Sequence, residues 1–196
     1  MARFYKGVGV GTYLHDEELR GRGPRTNGIA PVKPGGGRGI TDIIAHIVYG
    51  TTSSPCVSVT KSFAIASQYA IGFGTVWPTP ADPAYVYVID IPDPIPAKAG
   101  FDVVDPVAEI AYINRNPLKS TYAHDGDQDF LLGVVNPARF AHHRTALTKR
   151  PGPWATPRPA NLSLELEAMV RALRDSEVLV IGHIPAACVT DIRAVA

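Results

Sequence analysis

Three separated stretches carry side chains whose types and spacing suit chemistry on a small molecule. The first is Phe4-Tyr5-Lys6-Gly7, a cation behind an aromatic residue, followed by a loop holding Gly23-Pro24-Arg25. The second is Cys56-Val57-Ser58-Val59-Thr60, with hydroxyls at Ser58 and Thr60, and the segment Ser67-Gln68-Tyr69-Ala70 after it. The third is Asp175-Ser176-Glu177-Val178-Leu179-Val180-Ile181, where a carboxylate opens an apolar run. Together they offer a carboxylate fixed at the start of a buried strand, hydroxyls to orient it and a cation. Such a set suits a reaction in which positive charge develops on the substrate, because a fixed carboxylate binds that charge more strongly as it forms.

Other patterns fail on their spacing. Gly7-Val8-Gly9-Val10-Gly11 lacks the third glycine of a dinucleotide fingerprint, since positions 12 and 14 are Thr12 and Leu14, and no helix with a downstream acid is expected after it. Asp125, Asp127 and Asp129 begin like a calcium loop, but Phe130 stands where glycine is required and Asn136 where glutamate is. The histidines show no zinc spacing, and the adjacent His142 and His143 cannot face one metal from a regular helix. No phosphate loop or nucleophile elbow occurs. No metal is expected to be needed.

The elements that must position these residues fit one α+β domain spanning 1–196. The chain has 196 residues, 45% apolar and 19% charged, with a net charge of +1. That charge is too small to argue for nucleic acid or an anionic membrane. No apolar run reaches the ~20 residues of a membrane span, and the first residues lack an apolar signal core. This predicts a protein that stays cytoplasmic or is exported without a cleaved leader. Cys56 and Cys188 read as buried free thiols. Residues 3–10 predict a strand ending in glycines, and 20–39, with seven glycines and four arginines, a long basic loop. Ile40, Ile43, Ile44, Ile47 and Val48 recur at helical spacing. Ser62 predicts a helix cap, Tyr85–Ile91 a strand, and Asp105-Pro106 a helix start. Residues 112–128 read as loop, and 130–135 as strand or helix. Asn161 predicts the cap of a helix with Leu162, Leu166, Met169, Val170 and Leu173 on one face. Irregular spacing of the strands argues against a doubly wound sheet.

The order of the three stretches resembles the ADP-ribosyltransferases of the cholera-toxin-like, Arg-Ser-Glu class, over residues 3–30, 50–91 and 170–192. Tyr85-Val86-Tyr87-Val88-Ile89 is similar to that family's middle strand, and Ile184-Pro185 to its closing turn. The resemblance implies two packed, mainly antiparallel sheets flanked by helices around an NAD cleft. It implies that NAD is the substrate and that Glu177 stabilises the oxocarbenium-like transition state as the nicotinamide–ribose bond breaks, as in glycoside hydrolysis. Ser58 would orient that carboxylate with Thr60 beside it, and Tyr5, Lys6, Gly7, Arg25 and Thr60 would bind NAD. Tyr69 reads as core.

Two departures bear on function. The family has arginine on its first strand, whereas this chain has Lys6, which supplies charge without the planar fork. Arg3 lies on the opposite face of the same strand. The family has Glu or Gln two residues before the catalytic Glu, at the position that receives the acceptor, and this chain has Asp175. The expected activity is a mono-ADP-ribosyltransferase, a toxin or effector, with an unknown acceptor and a neutralising immunity or antitoxin protein as a further partner. The alternatives are an NAD glycohydrolase and a non-catalytic binding domain of the same fold. Asp127-Gln128-Asp129 is a rival to the Glu177 segment.

Overall fold

The computed structural model describes residues 1–35, 39–50, 54–113 and 164–196. The elements in chain order are β1 (Ala2–Val8), α1 (Tyr13–Leu19), α2 (Pro24–Asn27), α3 (Ile40–Tyr49), β2 (Cys56–Thr60) and α4 (Phe63–Gly72). They continue with β3 (Ala84–Ile91), β4 (Phe101–Val104), α5 (Pro106–Ile113), α6 (Leu164–Asp175), β5 (Glu177–Gly182), a short 3-10 turn (Ala186–Cys188) and β6 (Val189–Val195). Two caps follow the sequence directly. Ser62 accepts from the Ile65 amide to start α4, and Asp105 Oδ1 accepts from Val107 and Ala108 to start α5.

The strands form one six-stranded antiparallel sheet in the order β4-β5-β2-β1-β3-β6. This corrects the two packed sheets expected above. The joint at the centre gives the physical reason the distinction is fine. β1 runs against β3 from Ala2 opposite Ile91 to Val8 opposite Tyr85, but meets β2 only where Tyr5 faces Thr60. The sheet is two three-stranded ladders whose backbones pair at a single position, Tyr5 with Thr60.

Alternation decides what each face buries. Phe4, Val8, Val57, Val59, Tyr87, Ile89, Val178 and Val180 pack in one core with Ile29, Ile184 and Cys188. On the other face Cys56, Leu179 and Ile181 pack with apolar residues of α3, α5 and α6. A third cluster seats Ala66 and Ala70 of α4 against Val10, Ala84 and Val86. Gly7 permits this close seating, because a Cβ there would stand 2.0 Å from the Ala66 carbonyl oxygen. The buried Arg171–Glu167 pair of α6 reaches α3 as well, with Arg171 Nη1 donating to the Val48 carbonyl at 3.2 Å. Cys56 and Cys188 are buried and free.

Several elements differ from expectation. β1 ends at Val8, and a helix, α1, does follow the glycines, although the fingerprint spacing stays wrong. The basic stretch after Arg20 contains α2. The strands β4 and β6 add the two edges of the sheet. Residues 130–135, the Asp125–Asp129 segment, His142, His143 and Asn161 lie outside the described residues. Among the described residues no helix is long and apolar enough to cross a membrane.

Candidate functional site

The site lies where β1 and β2 part. Tyr5, Lys6 and Gly7 of β1, Ser58 and Thr60 of β2, and Asp175 and Glu177 at the α6–β5 corner line one open cleft of about 420 Å³. Ala66 and Tyr69 of α4 complete the wall. Seven residues singled out in the sequence are thus brought together. Arg25 is not among them: it sits exposed on the short helix α2. Arg3 is not either, being held by Asp90 at the start of β1.

Lys6 spans the gap left by the ended ladder. Its Nζ donates to the Ser58 carbonyl at 3.1 Å, so a side chain crosses where backbone pairing has stopped. Burial pushes its ammonium down to about 8, against the opposing pull of Glu177.

Glu177 begins β5, with Thr60 opposite it. Its side chain is only 12% exposed. Burial raises its carboxyl to about 7, while the Ser58 hydroxyl bond lowers it, Asp175 raises it, and Lys6 and Arg174 lower it. The corner before it is tight. Ser176 has φ of 46°, in the left-handed region, and is held by its amide to the Leu173 carbonyl at 3.2 Å and by the Lys61 amide to its own carbonyl at 3.1 Å. Such a conformation costs roughly 1–3 kcal/mol in a non-glycine residue, and it turns the chain from helix to strand within one residue.

Thr60 serves that same corner. Its hydroxyl donates to the Asp175 carbonyl at 2.6 Å and accepts from the Ser62 amide at 3.0 Å. Its proton is therefore committed to the protein, while the residue still lines the cleft. Asp175 is likewise engaged. Arg174 grips its carboxylate at 2.6 Å and 2.5 Å, and the Tyr69 hydroxyl donates to it at 2.5 Å. Tyr69 is thus a wall residue, stacked on Phe73 with ring centroids 4.6 Å apart, and not the core residue expected.

His46 escaped the sequence reading. It projects from α3, is buried, and its Nε2 lies 2.6 Å from Ser58 Oγ. Burial and the Lys6 charge push it down to about 4, so it is neutral at pH 7. Among the described residues its buried Nδ1 has no partner. A proton stranded on Nδ1 costs more than a stranded lone pair, so the proton belongs on Nε2, donated to Ser58 Oγ. The Ser58 hydroxyl is then free to donate to Glu177. His46 Nε2 also lies 3.9 Å from Glu177 Oε1. A nucleophilic triad would place the acid on the opposite ring nitrogen. Here the histidine orients the serine toward the carboxylate instead. The signal was present: His46 lies three residues after Ile43, on the apolar face of α3, where a polar group must have a partner.

No family model, curated protein or solved structure matches the chain.

Proposed function

We propose that the chain is an NAD-consuming mono-ADP-ribosyltransferase that breaks the nicotinamide–ribose bond of NAD in this cleft. One observation carries the reading: a desolvated carboxyl, Glu177, shares a cleft with an orienting hydroxyl, Ser58, and a walled-in cation, Lys6. The cleft is open on one side and lined by both polar and aromatic groups, so a ligand can enter from solvent and reach Glu177. Glu177 would strengthen its bond to the ribose as positive charge spreads over the ring. Ser58, held by His46, would keep the carboxylate aimed. Lys6 would meet an anionic or hydroxyl part of NAD that does not react.

A specific observation favours water as acceptor, the NAD glycohydrolase reading. Asp175 occupies the position that the resemblance assigns to the acceptor, and both its oxygens are already bonded by Arg174 and Tyr69. Among the described residues no second carboxylate in the cleft wall is left to draw in a protein side chain.

Purified protein mixed with NAD tests both. Release of nicotinamide supports the cleavage; its absence over hours at millimolar NAD would leave a binding domain as the reading. Labelled NAD then separates the two enzymes: free ADP-ribose equal to the nicotinamide released marks the hydrolase, and label on protein marks the transferase.

A further inference from the structure

We propose that Lys6 is a reactive amine that captures small aldehydes in the cleft as an imine. This goes beyond NAD cleavage and does not depend on it.

The geometry isolates the amine. Lys6 Nζ has one hydrogen bond, to the Ser58 carbonyl, and among the described residues no carboxylate oxygen comes within 4.0 Å of it. Lys61 shows the ordinary case, an exposed ammonium 3.8 Å from Asp105. An arginine at position 6 would stay charged at any pH a protein survives, but a lysine can shed its proton and become a nucleophile. Its surroundings favour that. Burial holds it down to about 8, and the neutral His46 supplies no opposing charge.

The cleft also contains an acid. Glu177 is raised to about 7, so near neutrality it carries a proton part of the time. The Tyr69 phenol, raised by burial and Asp175, keeps its proton throughout. Arg174 acts on Glu177 from α6 and favours its charged form. Asp175, at the end of α6, opposes Arg174 by raising Glu177, and the Cys56 thiol of β2, itself raised by burial, also feels the Glu177 charge.

The step balances without any other reagent. The Lys6 nitrogen lone pair attacks the carbonyl carbon, forming a C–N bond, and the carbonyl oxygen takes a proton from Glu177. The nitrogen, now positive, passes one proton back to Glu177, which gives it to the hydroxyl as that group leaves as water; the resulting iminium then returns its remaining proton to Glu177, and a C=N bond remains. One aldehyde and one amine become one imine and one water, and nothing is oxidised or reduced.

The test uses glycolaldehyde with cyanoborohydride, which reduces the imine to a stable amine, on the folded wild-type protein at pH 7.5. An ordinary lysine is then only about one part in a thousand uncharged, while a group titrating near 8 is roughly a quarter uncharged. Peptide mapping should find Lys6 labelled at least ~10-fold faster than Lys33, Lys61 and Lys98. Lys6→Arg should abolish that label, and Lys61→Arg should leave it. Equal labelling of all lysines, or an unlabelled Lys6, overturns the proposal. The wild-type map decides this even if Lys6→Arg fails to fold. Nicotinamide release plays no part, so the outcome is independent of the NAD reading.

Discussion

Strand β1 carries two cations three residues apart, and they live in opposite circumstances. Arg3, on the side chain 59% exposed, forms a bidentate pair with Asp90 at 2.8 Å and 2.9 Å, and Thr190 adds a bond to the same carboxylate at 2.9 Å. Lys6 is walled in beside Glu177 with a single backbone acceptor. Both residues are paired with β3, Arg3 opposite Asp90 and Lys6 opposite Tyr87, so what separates them is where the side chain goes: Arg3 to a carboxylate on the exposed face, Lys6 across the parting of β1 and β2. Saturated charges in water stabilise little and do no chemistry. Desolvated charges cost stability, and each is sensitive to every neighbour, which is what a reacting site needs.

The largest test of this contrast removes one acid from each end. Glu177→Gln keeps size and hydrogen-bonding reach but loses the charge, and turnover in nicotinamide release should fall roughly 10²–10³-fold. NAD affinity should hold, because the ground-state ribose carries no developing charge. Asp90→Asn should leave turnover within twofold. Equal losses from the two variants would sink the distinction. Asp129→Asn should also leave turnover near wild type; loss there with Glu177→Gln active would move catalysis to the earlier segment.

The pH profile sharpens the comparison next. Glu177 must be ionised and Lys6 protonated for the roles assigned. Activity should therefore rise with pH through about 7 and fall through about 8, giving a narrow bell. Outside the bell, rate should drop about tenfold per pH unit. Lys6→Arg should remove the alkaline limb and keep the acid one. If Arg3 were the working cation, wild type would show no alkaline limb at all.

A smaller effect is expected at the orienting groups. Ser58→Ala should lower turnover about tenfold and shift the acid limb upward, because the hydroxyl bond is what holds the Glu177 carboxyl down against burial. His46→Phe should do the same more weakly, acting through Ser58. A loss of NAD affinity with unchanged turnover would place Ser58 in binding instead.

How much of this was legible in the sequence depends on the range of each signal. The cleft residues on β1, β2 and β5 were readable because strand alternation and residue chemistry are local. Glu177 stood out because a carboxylate opening an apolar run is costly without a purpose. His46 was not read because its partner, Ser58, lies on another element. Tyr69 and Asp175 likewise owe their pairing to a tertiary contact across 106 positions. The edge strands were missed for a different reason. β4 is four residues long among prolines and glycines, and β6 carries Thr190, Asp191 and Arg193, so neither shows a clean apolar alternation. α1 was missed because its apolar ends, Tyr13 and Leu19, are exposed, and the residues it buries include His15 and Glu17. The count of sheets turned on whether one pair, Tyr5 with Thr60, joins two ladders.

The smallest effect expected is on stability, and its sign separates the two cations. The Lys6 ammonium is pushed down from 10.5 to about 8, so its contribution to stability is present above 10.5 and lost as pH falls through about 8. Lys6→Met should therefore be more stable than wild type at pH 7, by on the order of 1 kcal/mol once screening at the half-buried stem is allowed for. The gain should vanish as pH approaches 10.5. Arg3 behaves in the opposite sense. Asp90 raises its guanidinium above its ordinary value, so its contribution is fully present throughout the working range. Arg3→Met should lower stability slightly and by the same amount at pH 7 and pH 10. Urea unfolding of the three proteins at these two pH values measures the differences directly. A Lys6→Met gain that does not change with pH would mean the residue is merely badly packed. A gain that disappears on alkalinisation shows that the cost lies in its charge, and the same charge supports the bell-shaped activity.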